Sequence, residues 1–224
     1  MMPCLVMVAR LPVAGQVKSR IAATLGEADA LALYRCALAD SVLLMRESVG
    51  AHLAISYTPD HAEARREFSR IAPGFTLLAQ RGPAFGERLF NTFVDLRAQA
   101  LTPIVLIGSD SPSLPPHCLA TALDAIARPD VDVVLGPAHD GGYYLLALKE
   151  PQQALFDGIS WGTSAVAQET RDTAARCGLR LVEAPAWYDL DTESDLQRLL
   201  ADVSTTNDGR ALNTRACIEA IFRR

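Results

Sequence analysis

The sequence predicts an α/β protein with a mostly parallel sheet and helices on both faces of that sheet. Apolar runs of strand length alternate along the chain with longer segments in which apolar residues recur at helical spacing. The first run, residues 4–9, is continuously apolar, as expected for a central strand that is buried on both faces. Half of the 224 residues are hydrophobic and 21% are charged. This composition allows a substantial core and excludes a disordered chain.

The N-terminal half contains four predicted strands and three predicted helices. An apolar stripe that includes Leu31 and Leu38 predicts a helix over residues 27–47. Thr58 is followed by proline, a pattern typical of a helix start. A second apolar stripe predicts a helix over residues 86–100. The strands of this half are expected at residues 4–9, 52–57, 75–79 and 103–107.

The C-terminal half continues the alternation. Strands are expected at residues 131–135, 143–148 and 179–184, and helices at residues 115–127, 163–177, 192–200 and 212–222. Thr192 and Asp195 form a pattern similar to a capping box at the start of the third of these helices. The polar residues 204–209 predict a mobile linker. We therefore expect one domain over residues 1–203, followed by a linker and a C-terminal helix over residues 204–224.

Charge and composition restrict the partners of the protein. Lys and Arg together number 21 against 26 Asp and Glu, which gives a net charge of -5. This balance argues against nucleic acid or an anionic membrane as a partner. No apolar run approaches the length of a membrane span, and the first residues lack the basic region of a signal peptide. A cytoplasmic location is expected, with the five scattered cysteines reduced.

The segment after the first strand, residues 10–20, has the residue types of a phosphate-binding loop. Gly15 allows close approach of the backbone, and Lys18 and Arg20 supply cations that we expect to be exposed. An ordinary surface loop with solvated cations is the alternative. The spacing is not that of a Walker loop.

Three aspartates follow predicted strands or precede predicted helices. Asp110 lies in a proline-stiffened turn after a buried strand, where it could bind a divalent cation, form an Asx-turn or cap a helix. Asp189 and Asp191 point the same way if the segment is extended, and two carboxylates that close require a cation or a basic neighbour. Alternatively, Asp191 or Thr192 caps the following helix.

Two further turns are candidates for the same edge of the sheet. Gly141 and Gly142 after Asp140 let the backbone pass close to a ligand, or only permit a tight connection. The Trp161-Gly-Thr-Ser segment precedes a helix N-terminus that could face an anion. A plain helix cap with a buried tryptophan is the alternative reading.

Five segments in this order resemble the DUF2064 family. The segments are residues 10–20, Gly108-Ser-Asp-Ser-Pro-Ser-Leu, Gly136-Pro-Ala-His-Asp-Gly-Gly-Tyr-Tyr, Ile159-Ser-Trp-Gly-Thr-Ser and Asp189-Leu-Asp-Thr-Glu-Ser-Asp-Leu. That family belongs to the GT-A superfamily of nucleotide-diphospho-sugar transferases and is related to the 2-phospholactate guanylyltransferases. The resemblance covers residues 3 to 200 and implies the GT-A fold, with a nucleotide-binding transferase domain over residues 1–203.

The resemblance also implies roles for individual residues. The nucleotide would be bound by Ala9, Arg10, Gly15, Lys18, Arg20 and Ser109. Asp110, Asp189 and Asp191 would hold Mg²⁺ or Mn²⁺. Arg10 and Ser19 stand where the family usually has Lys and Thr, which preserves the chemical type of both positions.

The implied activity is that of a metal-dependent glycosyltransferase with a nucleotide-sugar donor and a small-molecule acceptor. Asp140 would then be the catalytic base. The alternative is a nucleotidyltransferase, similar to a guanylyltransferase, that releases pyrophosphate. In that case Lys18 would be the catalytic residue that stabilises the transition state. A nucleotide-binding module without turnover is the third reading.

Overall fold

The structure is a computed structural model that describes residues 2–48, 50–206 and 209–223, with the side chains of residues 203–206 outside that description. Its strands are β1 (Met2–Arg10), β2 (His52–Thr58), β3 (Thr76–Ala79), β4 (Leu101–Gly108), β5 (Val133–Pro137), β6 (Tyr143–Leu148) and β7 (Leu181–Glu183). Its helices are α1 (Ser19–Leu25), α2 (Glu27–Arg46), α3 (Ala62–Ile71), α4 (Phe85–Ala98), α5 (Pro116–Ala127), α6 (Val166–Arg176), α7 (Glu193–Thr206) and α8 (Leu212–Phe222).

All of these strands form one sheet in the order β3-β2-β1-β4-β6-β5-β7. β6 is antiparallel to both of its neighbours, and every other pair in the sheet is parallel. The prediction of a mostly parallel α/β sheet is confirmed. The carboxyl ends of β1, β2, β4 and β5 therefore meet at one edge, together with the amino end of β6. Loops that leave or enter the sheet at this edge can share one site.

The alternation of side chains along β1 divides the core into two layers. Leu5 and Met7 pack on one face of the sheet with side chains of α2, α3 and α5. Cys4 and Val6 pack on the other face with α4 and α6. All four side chains are fully buried, which is why the run has no polar position.

The largest differences from the predicted helices occur at α1, α3 and α7. The short helix α1 was not predicted. It is only seven residues long and follows Lys18, whose φ of 49° is left-handed. α3 begins after His61, whose Nδ1 accepts from Ala64 N at 3.1 Å, and not at Thr58. α7 continues to Thr206 where the sequence predicts its end at residue 200, because no glycine or proline interrupts it before Gly209.

The C-terminal helix packs against the body of the domain. α8 contributes Ile218 to a third core cluster with Ile21 of α1, Leu33 of α2 and Leu199 of α7. The Asp40 carboxylate accepts from both the backbone N and the side chain of Asn213 and of Thr214, at 2.6–3.2 Å, near the start of α8. The proposed boundary at residue 203 thus falls inside α7, and residues 207–208 of the predicted linker lie outside the described residues. No helix in the described ranges is long and apolar enough to cross a membrane.

Candidate active site

The carboxyl edge of the sheet opens into a cleft of about 620 Å³. Almost every residue that the sequence nominates lies in its lining, drawn from loops that are far apart in the chain. The nominated residues that line the cleft are Ala9, Arg10, Lys18, Arg20, Ser109, Asp110, Asp140, Asp189 and Asp191. Gly15 lies outside the lining; its φ is +73°, and a Cβ there would lie 3.1 Å from the Glu27 carboxylate.

Lys18 is at the centre of one end of the cleft. Its ammonium forms an ion pair with Asp110, lies 3.2 Å from Asp191 Oδ1 and donates to Leu190 O at 2.6 Å. These three partners use all three ammonium hydrogens. The expectation that Lys18 is exposed is wrong, since its side chain is only 2% exposed.

A backbone hydrogen bond explains why Lys18 is buried. Leu190 N donates to Asp110 O at 2.7 Å, which brings the segment that carries Asp189 and Asp191 to the end of β4. Leu190 itself is buried in the third core cluster. The carboxylates on either side of it therefore lie close to Lys18 and Asp110. We call Lys18, Asp110, Asp189 and Asp191 the ionic half of the cleft.

The charged groups of the ionic half shift one another's pKa values. Burial alone would lower the pKa of Lys18, but Asp110 and Asp191 outweigh it and raise that pKa, so the ammonium stays charged. Burial, and then the charge of Asp110, raise the pKa of Asp189 to about 7. The Ser111 hydroxyl donates to Asp189 Oδ1 at 2.5 Å, which favours its ionised form in part.

A second pair of contacts bears on the capping role considered for Asp191. Asp195 Oδ2 accepts from the backbone N of Asp191 at 3.1 Å and of Thr192 at 2.7 Å, at the N-terminus of α7. The Asp191 carboxylate is thus free of a capping role and faces Lys18 and Arg20, whose Nη1 lies 3.9 Å from Asp191 Oδ2. The Thr192 hydroxyl also donates to Asp195 Oδ2, at 2.7 Å, so Asp195 supplies its half of the predicted capping pattern.

Tyr34 of α2 joins the ends of β1 and β4 at the cleft. Its hydroxyl accepts from Arg10 N at 3.0 Å, donates to Arg10 O at 3.0 Å and lies 3.3 Å from Ser109 Oγ. Burial, and then the charge of Asp110, raise the pKa of Tyr34. The sequence places Tyr34 in the apolar stripe of α2 and gives no sign of this role, because all three contacts are long-range.

The other end of the cleft is lined by Phe85, Arg88, Tyr143 and Trp161, which we call the aromatic half. The Trp161 ring lies edge-on to Phe85, with centroids 5.2 Å apart, and to Tyr143, at 6.2 Å. The Arg88 guanidinium lies 5.8 Å from the Phe85 ring centroid. Of these residues, only Trp161 was singled out in the sequence, as a buried residue beside a helix cap; it is partly exposed in the cleft.

Asp140 lies on the turn that leads into β6 and borders the aromatic half. Its Oδ1 accepts from Gly142 N at 2.9 Å, and its side chain is exposed to the cleft. Gly141 has a φ of +91°, and a Cβ there would overlap the carbonyl oxygen of Ser164. Gly141 O also accepts from Ala167 N at 2.9 Å. Only glycine allows this close approach, which fixes the Asp140 turn against the loop that carries Trp161.

The donor set of the ionic half fits a hard divalent cation. In the ranges that the structure describes, no group of three or more His, Cys, Asp or Glu residues is arranged to enclose a metal ion. Mg²⁺, however, is usually held by one or two carboxylates, with water and substrate phosphates completing its ligands. Asp110 and Asp191 both contact the Lys18 ammonium and are each about 40% exposed. The pair therefore fits Mg²⁺ or Mn²⁺ held in this open manner.

Comparison with known proteins identifies the family. Residues 42–163 match the family described as "Uncharacterized protein conserved in bacteria (DUF2064)". No protein with a curated description matches the chain.

The solved structures that resemble the chain share one fold. A crystal structure from Desulfovibrio desulfuricans G20, provisionally described as a nucleotide-diphospho-sugar transferase, is 30% identical, covers 99% of this chain and 96% of its own, and has a TM-score of 0.90. The inositol-1-phosphate CTP transferase from T. maritima is 13% identical, with coverages of 93% and 98% and a TM-score of 0.59.

A cytidylyltransferase from Leptospira borgpetersenii is 12% identical, with coverages of 98% and 94% and a TM-score of 0.58. At such low identity, it and the inositol-1-phosphate enzyme bear on the fold alone. The chain belongs to the DUF2064 family and has the fold of the nucleotide-diphospho-sugar transferases.

Proposed function

We propose that the protein is a transferase that binds a nucleotide-activated substrate in the cleft and that it transfers a sugar from a nucleotide sugar to a small acceptor. The observation that carries this proposal is the division of one cleft into two chemically different halves. A charged end suits the phosphates of a nucleotide, and an aromatic end suits the group to be transferred or its acceptor. The similarity to a structure described as a nucleotide-diphospho-sugar transferase supports the same class of enzyme.

The ionic half would bind the diphosphate. Arg10 and Arg20 border the cleft beside it as exposed cations that can donate to phosphate oxygens. Asp110 and Asp191 would hold Mg²⁺ or Mn²⁺, with Asp189 adjacent. When bound there, the metal ion supplies positive charge close to the diphosphate that leaves. Tyr34 fixes the backbone of Arg10 and the side chain of Ser109, so that both are positioned before the nucleotide arrives.

Sugar transfer would occur between the two halves. The acceptor hydroxyl oxygen forms a bond to the anomeric carbon while the bond from that carbon to the diphosphate oxygen breaks. The hydroxyl proton passes to the Asp140 carboxylate, and the nucleoside diphosphate leaves with the bonding electrons. Asp140 can accept this proton because its side chain is exposed in the cleft and its second oxygen is available beside the one that accepts from Gly142 N.

Nucleotidyl transfer is the second candidate, favoured by three cleft-lining cations in the last residue of β1 and the segment after it, namely Arg10, Lys18 and Arg20. In this reaction an oxygen of a substrate phosphate or carboxylate bonds to the α-phosphorus, and pyrophosphate leaves. No general base is needed. Lys18 would stabilise the transition state by exchanging one of its present partners for a phosphate oxygen, since all three of its hydrogens are in use.

A product assay distinguishes the candidates. The purified protein, with Mg²⁺ or Mn²⁺, is incubated with each of the four nucleoside triphosphates and with a panel of nucleotide sugars. Slow hydrolysis of a nucleotide sugar supports glycosyl transfer, release of pyrophosphate supports nucleotidyl transfer, and binding without turnover indicates a nucleotide-binding module. Asp140→Asn should reduce the first reaction and spare the second. Absence of any nucleotide binding would contradict the proposal.

A further inference from the structure

Two buried polar atoms in the aromatic half have no hydrogen-bond partner. They are Arg88 Nε and the hydroxyl oxygen of Tyr143, and they are the only such side-chain atoms among the residues that the structure describes. Buried polar groups in proteins are paired in the large majority of cases, because an unpaired one costs free energy. Two exceptions in one half of one cleft indicate that a ligand supplies the missing acceptors.

The surroundings hold both groups in place without satisfying them. Arg88 donates from Nη1 to Pro83 O at 2.9 Å and stacks near the Phe85 ring, so its Nε has a fixed position. Tyr143 is the first residue of β6, and its ring lies against Trp161. Burial raises the pKa of the Tyr143 phenol, which therefore keeps its proton and can donate it.

The same half presents flat apolar surface. Phe85 is 45% exposed, although it is a large aromatic residue. Trp161 stands nearly perpendicular to it, at an interplanar angle of 82°. Gly86 gives this tryptophan its space, because a Cβ at Gly86 would come within 2.5 Å of Trp161 Nε1. The two rings form a corner that can cover apolar C–H surface.

The charge of this half limits the chemistry of the ligand. Arg88 carries one positive charge and Asp140, which lines the same cleft, carries one negative charge, so the two balance. The cations suited to phosphate, Arg10 and Arg20, flank the ionic half. A neutral ligand with an apolar face and several hydroxyl oxygens matches the aromatic half better than an anion does.

We propose that the aromatic half is a subsite for a sugar ring. The C–H face of the ring packs on Phe85 and Trp161, and its oxygens accept from Arg88 Nε and the Tyr143 hydroxyl. Asp140 accepts from a ring hydroxyl at the open side. This assignment rests on the proposed function and specifies which part of the cleft recognises the sugar. The ring belongs either to the nucleotide-sugar donor or to a glycoside acceptor.

Trp161 reports directly on this subsite. The sequence contains two tryptophans, Trp161 and Trp187. Trp187 is absent from the lining of the cleft, and its Nε1 donates to Ser113 Oγ at 3.3 Å. Trp187→Phe therefore leaves Trp161 as the single tryptophan, whose emission can be followed apart from that of the tyrosines. The Trp187→Phe variant is titrated with UDP, GDP, ADP and dTDP, and then with UDP-glucose, GDP-mannose, ADP-glucose and dTDP-glucose, while Trp161 fluorescence is recorded. Methyl α-D-glucopyranoside and methyl α-D-mannopyranoside are titrated with and without each diphosphate.

Two variants and one matched control test the contacts. Tyr143→Phe and Arg88→Met each remove one unpaired donor, and we expect about tenfold weaker binding of the sugar-bearing ligand with unchanged affinity for the nucleoside diphosphate. Arg46→Met is the control, because Arg46 also donates to a proline carbonyl, Pro73 O, and also stacks on a phenylalanine, but lies outside the cleft lining. Circular dichroism and thermal melting verify that each variant is folded.

The outcomes separate the subsite from the function. A response to nucleotide sugars and not to the diphosphates assigns the donor sugar, and a response to the methyl glycosides assigns an acceptor sugar. If diphosphates bind, but the sugar-bearing ligands leave Trp161 emission unchanged or bind the variants as tightly as the parent, the subsite is overturned and nucleotide binding stands. If methyl glycosides alone bind, the subsite stands and the nucleotide function fails. If no ligand binds, both fail.

Discussion

The two halves of the cleft differ in how completely the protein satisfies its own polar groups. In the ionic half, every hydrogen of the Lys18 ammonium is taken by Asp110, Asp191 or Leu190 O. In the aromatic half, Arg88 Nε and the Tyr143 hydroxyl have no partner in the described chain. The first half is electrostatically organised before any ligand binds, and a ligand must exchange existing contacts. The second half gains contacts only when a ligand arrives.

The difference implies two classes of variant. A change in the ionic half should alter both the stability of the fold and ligand binding, because its charged groups form ion pairs with one another. A change in the aromatic half should alter binding and leave stability nearly unchanged, since its two unpaired donors have no partner in the described chain and the hydrogen bond from Arg88 Nη1 to Pro83 O is exposed.

The largest expected effect is on nucleotide binding by Asp110→Asn. We expect about a 100-fold loss of affinity in Mg²⁺, because the variant weakens a metal-binding carboxylate and unbalances Lys18. Calorimetric titration of a nucleotide in Mg²⁺ and in EDTA measures it. Asp130→Asn is the control, since Asp130 forms an exposed ion pair with Arg128. Equal affinity of the parent protein in Mg²⁺ and EDTA would refute the metal site.

A smaller effect is expected on stability from Lys18→Met. The variant removes the counter-charge of Asp110 and leaves Asp191 with Arg20 alone, at 3.9 Å. We expect a loss of about 2 kcal/mol, which lowers the melting temperature by roughly 4 to 8 °C. Lys149 is the other lysine of the chain, and Lys149→Met should leave the melting temperature nearly unchanged. Arg88→Met should also melt close to the parent, and a drop as large as that of Lys18→Met would abolish the distinction between the halves.

The smallest effect is a pH dependence of stability that originates at Asp189. Its pKa in the folded protein is raised from 3.8 to about 7, so the folded state binds this proton more tightly than the unfolded state does. The free energy of unfolding therefore falls as pH rises from about 4 to about 7. Urea denaturation in EDTA at pH 4, 5.5, 7 and 8 measures this decrease. Asp189→Asn should flatten it, and an identical profile in the variant would place the titration elsewhere.

Much of the fold could be predicted from the sequence because its signals are local. Strand β6 and helix α8 have the bounds expected from their apolar patterns, and the continuous apolar run of β1 identified the central strand. α1 was missed because seven residues after a left-handed lysine carry no helical period that can be recognised. The antiparallel direction of β6 was also not foreseen, since strand direction depends on pairing and not on local pattern.

The candidate site was predicted less completely, for a physical reason. The turns that carry Asp110, Asp140 and Asp189 were found because chemistry-bearing residues at strand ends stand out in sequence. The burial of Lys18 was not predicted, because it depends on a hydrogen bond from Leu190 N to Asp110 O, two residues that are 80 positions apart in the chain. Arg88 was overlooked because an arginine on an amphipathic helix resembles a solvated charge until its packing is known.

The backbone contact between Leu190 and Asp110 has a consequence for biosynthesis. A nascent chain that ends before residue 189 already contains β1 to β7, Lys18 and Asp110, yet it lacks the segment that joins them. Leu190 is retained in its position by a cluster that includes Ile218 of α8. The charged end of the cleft is therefore completed only after the sheet has been translated. A ribosome-bound intermediate would contain the aromatic half and the turn of Asp140 without a complete ionic half.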